Sequence, residues 1–164
     1  MGGQQVLTTF LSYNPTGLSD EKCEWLNSLS ETSDVTYISV QEHFRKSKTI
    51  DQYFKAQFPS FNSFVIPGFR EDGQDRGRPK AGLAQLSRAS VGVRKDRVMC
   101  RSNRIQAQIL NFQASKVLWI NAYFPTDPGT IAYTSDELQT VLSEIERLMD
   151  SSEYDDIVIA ADMN

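Results

Sequence analysis

An aspartate and an asparagine, Asp162 and Asn164, stand directly after the apolar run Ile157-Val158-Ile159-Ala160-Ala161. A carboxylate and an amide delivered together at the carboxyl end of a strand can hold a nucleophilic water against a metal-bound phosphate. Three more polar sites follow or end β-like runs: Asn14, Glu42, and the Asn121–Pro125 segment that carries Tyr123. Brought to one edge, these groups would make a centre for phosphate chemistry. Glu42, helped by Asn14, suits a hard cation such as Mg²⁺, with Mn²⁺ able to substitute. Asp162 would align or deprotonate a water, Asn164 would hold the water or the phosphate, and Tyr123 would donate its hydroxyl to a phosphoryl or leaving oxygen. Each residue also has a plainer reading: a solvated strand end for Glu42, an Asx turn for Asp162-Met163-Asn164, a turn before Gly17 for Asn14, a core position for Tyr123. His43, the only histidine, reads as a plain exposed residue turned away from Glu42.

The elements that must position these groups are legible as alternating strands and helices. Gln5 to Tyr13 reads as a strand with two apolar faces, broken by Asn14-Pro15-Thr16-Gly17. Ser19 caps a helix with Asp20 and Glu21 in its first turn and an apolar face of Leu18, Trp25, Leu26 and Leu29. Val35 to Val40 is a second strand, Thr49 to Phe58 a short helix stopped by Pro59, and Asn62 to Pro67 a third strand. Gly68 to Lys80 reads as an exposed loop. Leu83–Leu86, Ser90–Val93, Ile105–Phe112 and Lys116–Phe124 suggest an antiparallel meander with a hairpin at Asn111–Ser115. Thr134-Ser135-Asp136-Glu137 has capping-box spacing, and Leu138, Val141, Leu142, Ile145, Leu148 and Met149 predict a helix from 135 to 150. Near-continuous apolar strands alternating with helices imply an α/β architecture, helices covering mixed sheets.

At 164 residues and 40% hydrophobic content the chain can bury the core of one domain. No run reaches the roughly 20 apolar residues of a membrane span, and Met1-Gly2-Gly3-Gln4-Gln5-Val6 fits neither a signal peptide nor a myristoylation signal. Cys23 and Cys100 lack partners at metal-ligand spacing, so they read as free thiols of a reducing compartment. The expected location is therefore intracellular, nucleus or cytoplasm. The net charge of −4 argues against a general nucleic-acid coat, yet residues 70–104 hold ten basic against four acidic side chains. Such a basic surface beside acidic flanks could steer a polyanion toward acidic metal ligands; its plainer reading is a solvated loop face.

In this order the motifs resemble those of the endonuclease/exonuclease/phosphatase family, which includes deoxyribonuclease and abasic-site endonuclease domains. Asn14-Pro15-Thr16-Gly17-Leu18 is similar to the family's opening Asn-x-x-Gly-Leu, Val40-Gln41-Glu42 to its Leu-Gln-Glu, Tyr123-Phe124-Pro125 to its Tyr-x-Pro, and Asp162-Met163-Asn164 to its Gly-Asp-x-Asn. Arg78-Pro79-Lys80-Ala81-Gly82-Leu83-Ala84 and Asn103-Arg104-Ile105 most resemble LINE-type retrotransposon endonuclease domains. The resemblance implies a four-layer sandwich of two packed sheets flanked by helices. It further implies a metal at Glu42 and Asn14, catalysis by Tyr123, Asp162 and Asn164, and substrate contacts from Asn14, Arg78, Lys80, Arg104 and Asn121, with DNA as partner and no membrane. Ala161 stands where the family has glycine, and the family's closing Ser-Asp-His motif has no counterpart up to residue 164. On this resemblance the chain is an amino-terminal part of the domain, incomplete at the carboxyl end, and its uncovered apolar surface favours the missing segment or self-association. The leading expectation is a Mg²⁺-dependent DNA endonuclease, inactive at this length if the closing motif is indispensable. The alternatives are a phosphatase or phospholipid diesterase of the same family, and a non-catalytic polyanion-binding remnant.

Overall fold

The computed structural model describes residues 8–46, 49–69, 81–125 and 131–163. Two four-stranded mixed sheets form its centre. In the first, β1 (Phe10–Tyr13) runs parallel to β2 (Tyr37–Val40), which pairs antiparallel with β4 (Leu83–Arg88), which pairs antiparallel with β3 (Phe61–Ile66). In the second, β5 (Arg94–Val98), β6 (Ile105–Asn111) and β7 (Lys116–Tyr123) form the antiparallel meander, and β8 (Asp156–Asp162) adds to β7 in parallel. The parallel pairs need crossovers, supplied by α1 (Asp20–Thr32) and α3 (Ile131–Ser151); α2 (Ile50–Gln57) precedes β3.

Strand parity explains the four layers. On β2 and β4, Ile38, Val40, Ala84 and Leu86 face a core built with Leu26, Ile50, Phe54 and Phe58 of the α1 and α2 region. On β6 and β7, Ile105, Ala107, Leu118, Ile120 and Ala122 face Val141, Ile145 and Leu148 of α3. The opposite faces of both sheets meet in the middle, where Tyr37, Leu110 and Trp119 pack together. The Tyr37 hydroxyl is buried there without a hydrogen-bond partner, and burial raises its pKa to about 12.

This middle layer is largely polar, and its amides are paired. Asn121 donates to the Val40 and Ala84 carbonyls, both at 3.1 Å, and accepts from Gln41 Nε2 at 2.8 Å. Gln108 Nε2 donates to Gln85 Oε1, Gln85 Nε2 to the Trp119 carbonyl, Gln106 Nε2 to the Phe64 carbonyl, and Trp119 Nε1 to Ser39 Oγ. Buried amides satisfied on both sides rigidify and register the two sheets.

Several sequence expectations need correction. The charged segment Arg94–Val98 is the strand, and Ser90–Val93 is the connection before it, because β5 lies at a sheet edge where charged side chains stay solvated. The four runs expected to form one meander are divided: β4 belongs to the first sheet and β5–β7 to the second. Helix α3 begins at Ile131, so Thr134-Ser135-Asp136-Glu137 lies inside it. Leu142 and Met149 are exposed, which narrows its apolar stripe. Trp25 is 51% exposed and rests on Tyr13, while Cys23 and Ser30 fill the buried face of α1 with Leu26. The opening strand is half-buried at a sheet edge, not enclosed on both faces. Ser19 does cap α1, accepting from the Lys22 N–H. No described helix is long and apolar enough to cross a membrane.

Candidate functional site

The two parallel pairs bring their carboxyl ends to one place. β1 and β2 deliver Asn14 and Glu42, while β7 and β8 deliver Tyr123 and Asp162, which are register partners. The Asn14 side-chain nitrogen donates to Glu42 Oε2 at 2.9 Å and also to Asp162 Oδ2, a residue 148 positions away. The amide oxygen is committed locally, accepting from the Thr16 N–H at 2.7 Å. Asn14 therefore clamps two carboxylates from two different sheets.

Glu42 is held on a backbone that side chains rarely adopt. Its φ is +51°, and Phe44, Ala81 and Thr16 are also left-handed. Four backbone bonds lace this turn: Gly17 N–H to the Glu42 carbonyl at 2.7 Å, Leu18 N–H to that of His43, His43 N–H to that of Gly82, and Phe44 N–H to that of Ala81. Strain of this kind persists only where surroundings over-determine it, and it concentrates at functional turns. Gln41, just before Glu42, reaches inward to Ser12 Oγ and Asn121 Oδ1. The middle-layer network is therefore the floor under the carboxylates.

His43 corrects the expectation of an exposed ring: it is fully buried. Its Nδ1 accepts from the Arg45 N–H at 3.0 Å, which leaves Nε2–H to donate to the Ile66 carbonyl at 3.0 Å. Burial pushes its pKa down to about 4, so the ring is neutral. Gly82, at φ +94°, sits beneath it, and a Cβ there would lie 2.5 Å from the imidazole Cε1. Only glycine fits both the dihedral and the gap. In the sequence this lock leaves a single signal, the glycine of Lys80-Ala81-Gly82 just ahead of β4.

The remaining expected residues divide. Asn121 is fully buried with its amide used between the sheets, below the carboxylates and out of solvent. Tyr123 is 7% exposed and packs with Ala81 and Leu83. Arg104 lies 5.2 Å from the Tyr123 ring, pairs through one terminal nitrogen with Glu137 at 3.0 Å, and buries the other without a partner. Arg78, Lys80 and Asn164 lie outside the described residues. Within the described part of the basic segment, Arg88 binds the Val35 and Ser30 carbonyls, and Arg94 pairs with Asp96.

The donor set fits a hard divalent cation. Two carboxylates meet at one amide, an oxygen-rich donor set of the kind that Mg²⁺ takes with one or two carboxylates. Among the described residues no group of three His, Cys, Asp or Glu side chains gathers anywhere, so a softer, ligand-rich site is not on offer there.

Compared by sequence, the chain matches no protein-family model and no curated protein. Compared by structure, it is similar to the AP endonuclease LMAP from Leishmania major, with a TM-score of 0.72 and 13% identity over 95% of this chain and 55% of that one. It is similar to the endonuclease domain of TRAS1, a telomere-specific non-LTR retrotransposon, with a TM-score of 0.63 and 14% identity over 96% of this chain and 60% of that one. An endonuclease/exonuclease/phosphatase family protein from Leptotrichia buccalis C-1013-b gives a TM-score of 0.60 at 12% identity, over 96% of this chain and 67% of that one. The chain thus spans 55% and 60% of the length of the first two. The likeness shows the fold: this is the two-sheet sandwich of the endonuclease/exonuclease/phosphatase proteins, a fold that carries nucleases and phosphodiesterases.

Proposed function

We propose that this chain carries the water- and metal-handling part of a phosphodiesterase centre, and that the substrate is DNA cut by an endonuclease of retrotransposon type. The observation that supports it is the Asn14 amide shared by Glu42 and Asp162. Glu42, backed by Asn14, would hold Mg²⁺, which when bound neutralises phosphate charge and favours attack at phosphorus. Asp162 orients a water and takes its proton as the water oxygen bonds to phosphorus. The bond from phosphorus to the leaving oxygen breaks in the same displacement, and Tyr123 donates a hydrogen bond to the phosphoryl or leaving oxygen. Asn164 would hold the water or the phosphate by its amide. Arg104 keeps its guanidinium beside Tyr123, and Arg78 and Lys80 would add phosphate contacts.

A labelled DNA duplex and a supercoiled plasmid, each with Mg²⁺ or EDTA, test this reading, alongside an inositol phosphate and sphingomyelin as competing substrates. Cleavage of DNA that needs Mg²⁺ and disappears in Asp162→Ala is expected. Hydrolysis of the inositol phosphate or the lipid with DNA untouched would overturn the substrate, and no hydrolysis of any of them would overturn the activity of this chain.

A further inference from the structure

A second polar opening lies at the other flank of the sandwich, where the edge strands β3 and β5 stand far from β1 and β8. It is a cleft of about 180 Å³ between the sheets, lined by Asn62, Ser63 and Ser87 on one side and Lys95 and Arg97 on the other. No carboxylate lines it. Lys95 and Arg97 are two apart on β5 and share the face that borders the cleft, whereas Arg94 and Asp96 pair with each other on the opposite one. The Lys95 ammonium donates to Ser87 Oγ at 3.1 Å, and the Arg97 guanidinium lies over the Phe64 ring at 4.2 Å. Among the described residues neither cation meets an acidic side chain, while Arg104, Lys116 and Arg147 each do.

Two neighbouring cations that meet no acidic side chain among the described residues repel each other, and an anion between them relieves that repulsion. Partial burial already lowers the Lys95 pKa, so desolvation acts at this position. We propose that this cleft is a binding site for a phosphate-class oxyanion, held by Lys95 and Arg97. A guanidinium fork beside a point-charge ammonium matches the several acceptor oxygens of such a group. The phosphate could be free or part of a nucleic-acid strand. Because the cleft shares no residue with the Asn14, Glu42 and Asp162 cluster, the proposal stands independently of the proposed activity.

The test is an amide chemical-shift titration of the labelled protein in EDTA, with inorganic phosphate in one arm and a short single-stranded oligodeoxynucleotide in the other. Saturable shifts at the Ser87 and Lys95 amides are expected. Lys95→Met should weaken them at least about tenfold, the loss of one charge-assisted hydrogen bond, and Lys95→Arg should restore them. Arg97→Gln gives a second reading if Lys95→Met loses its dispersed spectrum. Shifts from the oligonucleotide that compete with phosphate assign the source to a strand; shifts from phosphate alone assign it to the free ion. Silent amides in both arms, or an affinity unchanged in a folded Lys95→Met, would overturn the site.

Discussion

Two polar regions of this molecule sit within a few residues of each other and behave in opposite ways. In the middle layer, Gln41, Gln85, Gln106, Gln108 and Asn121 are buried, and each amide finds its partner. At the strand ends directly above, Glu42 and Asp162 both accept from the amide of Asn14. Complete satisfaction makes the first region a structural clamp, since a buried amide that loses its partner costs far more than a satisfied one contributes. The second region places two carboxylates on one amide nitrogen, the arrangement that the proposed cation would answer.

The comparison can be broken by mutation. Asn121→Ala would orphan Gln41 Nε2 and the Val40 and Ala84 carbonyls, so a loss of about 4 kcal/mol in a urea unfolding experiment is expected. A change under about 1 kcal/mol would show that Asn121 is not part of the clamp. Gly82→Ala forces both a left-handed alanine and an overlap with His43, and should cost about 3 kcal/mol by the same measurement.

His43 sharpens the boundary between the two regions through pH. Its folded pKa lies near 4 against an ordinary 6.5, so between these values the unfolded chain binds a proton that the native ring refuses. Stability is then full above pH 6.5 and falls as pH drops toward 4, by on the order of 3 kcal/mol at the acid end. The ring-carbon titration followed by NMR should show a midpoint near 4; a midpoint near 6.5 would mean that the imidazole is solvated. The smallest effect on stability belongs to the strand ends. Glu42→Gln removes one of two crowded carboxylates and should shift the unfolding free energy in metal-free buffer by no more than about 0.5 kcal/mol, where Asn121→Ala shifts it several times as far.

The sequence was most informative where strand ends were concerned. Apolar runs followed by Asn14, Glu42 and Asp162 mark both the strands and their carboxyl edges; parallel pairing aligns the ends within each sheet, and the packing of the two sheets brings them together. The middle layer was hidden because a strand such as Ile105-Gln106-Ala107-Gln108 alternates apolar with polar, a pattern that normally means core against solvent. Here Gln106 and Gln108 point into a second sheet, a partner that no local window contains. β5 was missed for a related reason, since Arg94, Lys95, Asp96 and Arg97 carry the composition of a loop and are a strand only because β6 pairs with them. The burial of His43 likewise depends on Gly82 and Ile66, remote in sequence and invisible to its neighbours.

The most direct test of the strand-end centre is a calorimetric Mg²⁺ titration of the chain beside Glu42→Gln and Asp162→Asn, because it reads the cation without requiring turnover. One site is expected, with affinity reduced at least about tenfold in each variant, as loss of a charged ligand or neighbour demands. Mg²⁺ binding of unchanged affinity in both variants would contradict the assignment of Asn14, Glu42 and Asp162 as a single cation-dependent centre.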